Sequence, residues 1–168
     1  SGAGVILKRN FEQGLPVDTN TSNDWICSRR YGIGQSDFPL FDIPFNGEVK
    51  TFVSPDCSFK AIVDEIRRAN ESIYFNIYEF TNPFLCDELI KALRRNVSVN
   101  IFVEGSPVGG ITDEEKYILN RITSYGGNIR FIVNDAKNDV HARYAFDHAK
   151  YLIIDNKTVI VESCNWAK

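Results

Sequence analysis

Two side chains able to handle a phosphate stand two residues apart in an apolar run: His148 and Lys150, in Asp147-His148-Ala149-Lys150-Tyr151-Leu152-Ile153-Ile154. The run turns through Asp155-Asn156-Lys157 and returns as Thr158-Val159-Ile160-Val161, a pattern that predicts a β-hairpin. Alternation along a strand puts His148 and Lys150 on one face, projecting an imidazole and an ammonium together from a stiff support. The ammonium would lower the cost of charge on the non-bridging oxygens of a phosphate. The imidazole suits attack or proton transfer because its charge changes near neutral pH. On the returning strand Ser163 and Asn165 share a face and would donate to phosphate oxygens. Asp155 has the opposite parity and is expected to hold the turn. Glu162 also has the opposite parity to Ser163 and Asn165; if it approached the phosphate, its charge would repel the substrate.

The order His148-x-Lys150-x4-Asp155-x6-Glu162-Ser163-Cys164-Asn165 resembles the HKD motif of the phospholipase D superfamily, where Gly usually stands in place of Glu162. His, Lys and Asp at these offsets arise by chance in about one chain of this length in a hundred, given ordinary residue usage. Ser163 and Asn165 in register make chance a poor explanation. The resemblance implies a catalytic set of His148, Lys150 and Asp155, with Asn165 and Ser163 binding substrate. It implies phosphodiester hydrolysis or phosphatidyl transfer through a phosphohistidine, one histidine attacking and a second protonating the leaving oxygen. That chemistry uses no metal or other cofactor. The alternatives are an HKD-type nuclease and a non-catalytic phosphate-binding module, the latter motivated by Glu162 and by the single motif. The substrate is accordingly a phosphodiester of a phospholipid or a nucleic acid. One motif supplies one histidine, so the second HKD half is expected from a homodimer mate across a two-fold axis or from a downstream part of a parent chain. The sequence has no methionine and stops soon after Asn165, and it is read as a piece of a longer chain.

The elements that must position these residues follow from periodicity. With 168 residues, 43% of them hydrophobic, the chain can build one domain with a real core. A net charge of −3 argues mildly against a non-specific nucleic-acid binder. No apolar run is long enough to span a membrane. Cys27, Cys57, Cys86 and Cys164 form no C-x-x-C pair; buried free thiols are expected, with a disulfide as the alternative. Asn-x-Ser/Thr triplets at Asn20, Asn70, Asn96 and Asn156 carry no weight on compartment.

Residues 1–46 are irregular and partly extended, and are read as an arm or the remnant of a β-domain. The Asp18-Thr19-Asn20 and Asp24-Trp25 stretch resembles the closing strands of a lamin-tail-like β-domain. Arg29, Arg30 and Tyr31 form its basic-aromatic cluster, read as a solvated loop. From residue 47 to 168 a phospholipase D-like domain is expected. Val49–Ser54 alternates as a strand, and Ser54 or Asp56 is placed as the cap of a helix burying Phe59, Ile62, Val63, Ile66 and Ala69. Residues 72–78 read as a strand covered on both sides. Thr81 or Asn82 caps a helix with Pro83 in its first turn and Leu85, Leu89, Ile90 and Leu93 inward. Residues 97–103 form the next strand. Thr112-Asp113-Glu114-Glu115 reads as a capping box for a helix with Ile118, Leu119, Ile122 and Tyr125 inward, and residues 128–133 as a strand. The fold class is α/β: a phospholipase D-like α/β/α sandwich with a central mixed sheet, one half of a two-motif architecture. Tyr78-Glu79-Phe80-Thr81 resembles the family's early strand ending. Tyr78 is explained by core packing, while Glu79, Glu104 and Gly105 end strands where α/β sites collect ligand contacts. His141 is read as a loop or strand-edge histidine, with a place in the cleft as the alternative.

Overall fold

The computed structural model describes residues 5–13, 15–30, 42–133 and 146–167. They fall into two compact units, Ser1–Glu48 and Val49–Lys168. In the first, β1 (Val5–Arg9) pairs antiparallel with β4 (Trp25–Arg30), and β2 (Phe11–Glu12) with β3 (Leu15–Pro16). A single 3-10 turn at Ser22–Asp24 precedes β4, and the buried Asp24 carboxylate accepts the Thr19 and Thr21 backbone N–H groups. The side chains of Arg29 and Arg30, and all of Tyr31, lie outside the described residues, as does His141.

The second unit carries α1 (Ser58–Arg68), β5 (Ser72–Ile77), α2 (Pro83–Arg94), β6 (Ser98–Glu104), α3 (Asp113–Ser124), β7 (Asn128–Ile132), β8 (Tyr151–Ile154) and β9 (Thr158–Val161). The sheet order is β7-β6-β5-β8-β9. β5, β6 and β7 run parallel, linked by helical crossovers, and the β8–β9 hairpin joins antiparallel to β5. The mixed central sheet of an α/β fold is thus as the sequence reading has it.

One sheet face is sealed. Ile73, Phe75 and Ile77, with Val99, Ile101, Val103, Leu152 and Ile154, are at most 4% exposed and meet Ile62, Val63, Ile66, Leu85, Leu89, Ile118 and Ile122 of the helices. On the opposite face Tyr74 is 41% and Phe102 38% exposed, while Asn76 and Glu104 near the carboxyl ends of β5 and β6 are buried. Residues 72–78 are therefore covered by helices on one side only among the described residues. The reason is topological: right-handed crossovers between successive parallel strands put α2 and α3 on the same face, and α1 packs beside α2.

Other expectations need correcting. Val49–Ser54 is not a strand: it pairs with none of the five strands, Val49 and Val53 stand exposed, and within it only Phe52 packs against the core. Neither Ser54 nor Asp56 caps α1, whose N-cap is Cys57 without a side-chain bond, and Phe59 and Tyr125 are exposed. Cys57 is exposed as well, while Cys86 is buried. Asn82 does cap α2, accepting the Phe84 and Leu85 N–H groups with Pro83 at the first position. Thr112 caps α3, but Glu115 does not complete the box; its carboxylate crosses to the Phe80 backbone N–H at 2.8 Å.

Candidate functional site

The β8–β9 hairpin is fixed by its turn. Asp155 and Asn156 both take positive φ, and Lys157 N–H donates to the Ile154 carbonyl, the geometry that matches strand twist. The Asp155 carboxylate accepts the backbone N–H groups of Asn70, Glu71 and Ser72 at 2.8–2.9 Å. Those three bonds hold its carboxyl below the usual aspartate range. Asp155, grouped by the motif with the catalytic residues, therefore stands at the far end of β8 from His148 and Lys150. It ties the hairpin to the loop before β5.

β8 begins only at Tyr151, so His148 and Lys150 precede the strand and the parity argument does not apply to them. They nonetheless meet over one residue. The His148 ring lies edge-on to Tyr78 with centroids 4.7 Å apart, and Lys150 Nζ stands 5.3 Å from the same Tyr78 ring centroid. Lys150 is 4% exposed and donates from Nζ to the His148 carbonyl at 2.7 Å. Burial pushes its pKa down from 10.5, opposed by the nearby Asp147 carboxylate and Cys164 sulfur. His148 is exposed, and no hydrogen bond from another described residue reaches its ring nitrogens.

The segment carrying this pair is tied to β5 and β6. Asn76 on β5, buried, donates from Nδ2 to the Ala149 carbonyl at 3.1 Å. Glu104 at the end of β6, also buried, accepts the Asp147 N–H at 2.6 Å and the Ser106 N–H at 2.7 Å. The Tyr78 hydroxyl accepts the Val108 N–H at 2.8 Å. Gly105 is required where it stands, since a Cβ there would lie 2.7 Å from the Ile132 carbonyl oxygen.

The returning strand also stops early, at Val161, so Ser163 and Asn165 ride on a bend rather than on a shared strand face. Ser163 is exposed. Asn165 donates from Nδ2 to Glu79 Oε2 at 3.3 Å, and its buried Oδ1 has no partner among the described residues, as is true of Asp147 Oδ2. The bend is locked by Trp166, 2% exposed, whose ring stacks on Phe75 at 4.0 Å and meets Phe80 edge-on at 5.3 Å. Its carbonyl accepts the Thr81 and Asn82 N–H groups, and its N–H donates to the Glu79 carbonyl. Glu162 is turned into this same bend: it accepts the Trp166 Nε1–H at 3.2 Å and the Cys164 thiol at 3.5 Å, and burial raises its pKa.

The site thus gathers His148, Lys150 and Asn165 around the carboxyl end of β5, with Asp155 remote. Tyr78, taken from the sequence as core, is its floor; Asn76 and Trp166 were not singled out, and Glu115 was read as part of a capping box. Glu104 and Glu79 carried a signal, being acidic residues at strand ends. Among the described residues no group of three or more His, Cys, Asp or Glu side chains is arranged to hold a metal ion.

Residues 62–168 match the family model described as cardiolipin synthase, PLD-like domain. Among solved structures, a phospholipase D family member, Nuc from Salmonella typhimurium, is 28% identical with a TM-score of 0.59, the match covering 68% of this chain and 69% of that one. NucT from Helicobacter pylori is 24% identical with a TM-score of 0.58, covering 70% and 74%, a likeness of fold. No curated protein matches the chain.

Proposed function

The chain belongs to the PLD-like domain family described for cardiolipin synthase, and from that premise we propose that it acts on phosphodiesters through a covalent phosphohistidine formed at His148. Membership supports phosphodiester chemistry in general. The observation that carries the finer reading is the convergence of the His148 ring and the Lys150 ammonium on the one Tyr78 ring. In this reading an imidazole nitrogen of His148 attacks phosphorus, the P–O bond to the leaving group breaks, and a second histidine protonates the departing oxygen. Water then attacks the phosphohistidine, or an alcohol does in phosphatidyl transfer, and the histidine is restored. Lys150 faces the developing negative charge from a site already stripped of water, where a fixed cation acts most strongly. Asn165 keeps one amide hydrogen for a phosphate oxygen beside the one engaged by Glu79, and the exposed Ser163 can reach the same anion. Asp155 serves by holding the hairpin. The non-catalytic alternative drew on Glu162; with that carboxylate engaged by Trp166 and Cys164, its main motive is weakened.

One motif supplies one imidazole, so the second comes from another copy of the chain or from a further part of a longer one. Parallel assays on phosphatidylcholine vesicles, single-stranded DNA and bis(p-nitrophenyl) phosphate identify the substrate class. His148→Ala is expected to lower whichever activity is found by about 10²–10⁴-fold, the usual weight of a positioned acid-base group, or more. Activity retained in His148→Ala would overturn the reading.

A further inference from the structure

We propose that Glu104 is the positioning residue that sets where His148 and Lys150 stand, a role that rests on the phosphodiester reading only for its catalytic consequence. Three observations carry it. Glu104 is 3% exposed, and its two carboxylate oxygens accept two different backbone N–H groups, that of Ser106 in its own strand's exit and that of Asp147 immediately before His148. The other ties on this segment among the described residues lie beyond His148: Asn76 holds the Ala149 carbonyl, the Glu162 N–H donates to the Lys150 carbonyl at 2.9 Å, and Tyr78 supplies a ring surface that orients but does not anchor. His148 itself lies ahead of β8, which begins at Tyr151, and the Glu104 bond to Asp147 is the tie on its N-terminal side.

A carboxylate with both oxygens on main-chain donors is a rigid bracket. It spans from the end of β6 to the chain that bears the imidazole, just as Asp155 spans from the hairpin turn to the chain entering β5. The segment is therefore pinned by a carboxylate on each side of β8, and Glu104 is the nearer one to the chemistry. Losing it would let residues 146–150 shift against Tyr78, lifting the His148 ring from its edge contact and the Lys150 ammonium from its shelter. Glutamine keeps one carbonyl oxygen and replaces the other acceptor with a donor, so Glu104→Gln can hold only part of the bracket. Alanine holds none of it.

The test uses a signature independent of turnover. The chain has two histidines, so each gives one imidazole Cε1–H resonance, and His141→Gln assigns them. Ring current from Tyr78 displaces the His148 resonance. Glu104→Ala is expected to return it toward the position of an unstacked imidazole, and Glu104→Gln to move it part of the way. Glu88→Gln, which removes the charge that Glu88 of α2 shares with Arg67 of α1 and Lys91 of α2, should leave it in place and control for general loosening. On the diester found by assay, Glu104→Ala should lower kcat by about 100-fold with KM little changed, the effect of misplacing a reacting group by about 1 Å. An unmoved His148 resonance in folded Glu104→Ala or Glu104→Gln protein overturns the proposal, as does a loss expressed wholly in KM. A displaced resonance with no diesterase activity in the unsubstituted protein, assayed both at concentrations that drive self-association and in the longer parent chain, upholds the positioning role and removes the phosphodiester reading instead.

Discussion

Lys150 is an ammonium held out of water with one carbonyl for a partner, and its charge is correspondingly easy to remove. Its folded pKa lies below 10.5, so the folded chain binds fewer protons than the unfolded one between those two values, and stability rises with pH across that window. Phosphate handling has the opposite sign. The clamp is fully charged below its lowered pKa and fades above it, so activity should fall at a pH below that expected for an exposed lysine. Binding of a phosphate anion should shift that limb back upward. A pH profile of kcat/KM in the wild type and in Lys150→Arg checks this: the arginine variant, whose charge persists, should lose the alkaline limb whatever its absolute rate. That His148 and Lys150 lie close together was legible from their spacing. Their setting was not, because the alternation rule assumes a strand, and here the strand starts one residue after Lys150.

At the scale of elements, the hairpin and the bend after it are held by contacts distant in sequence. Trp166 alone bridges Phe75, Phe80, Glu79, Thr81 and Asn82, closing the bend that carries Ser163 and Asn165 against the end of β5. Trp166→Ala is expected to cost about 3–5 kcal/mol of unfolding free energy, the usual range for a large buried aromatic. It should also free the Asn165 amide from Glu79, so that phosphate affinity falls more than in a core substitution remote from the bend. Denaturant unfolding and phosphate binding on the same samples check both. Helices α2 and α3 were readable from apolar spacing and from Asn82 and Thr112, whose caps are local. Glu115 was misassigned because its partner, the Phe80 N–H, lies 35 residues away. Val49–Ser54 alternates like a strand but joins no sheet among the described residues; local pattern cannot report whether a partner strand is present.

For the molecule as a whole, the described residues carry one candidate imidazole, that of His148. It is exposed beside Tyr78, and Asp147 Oδ2 and Asn165 Oδ1 are buried acceptors without a donor among the described residues. If a second copy completes the site, specific activity should rise with protein concentration and level off as dimer saturates, with initial rates second order in chain at the dilute end. A mixture of His148→Ala and wild-type chains should then fall faster than the fraction of wild-type chain. Dilution series followed by activity and sedimentation check this. Fold class was legible because alternating helices and strands leave few topologies.

The central claim is that His148 and Lys150 together receive a phosphate, and it can be tested without turnover. Titration of the labelled protein with inorganic phosphate, read at the His148 imidazole and the Lys150 side chain, is predicted to move both along one isotherm, with the His148 response lost in Lys150→Met. If either group stays still at saturating phosphate, or if the two follow different isotherms, the two side chains do not form one anion site and the account fails.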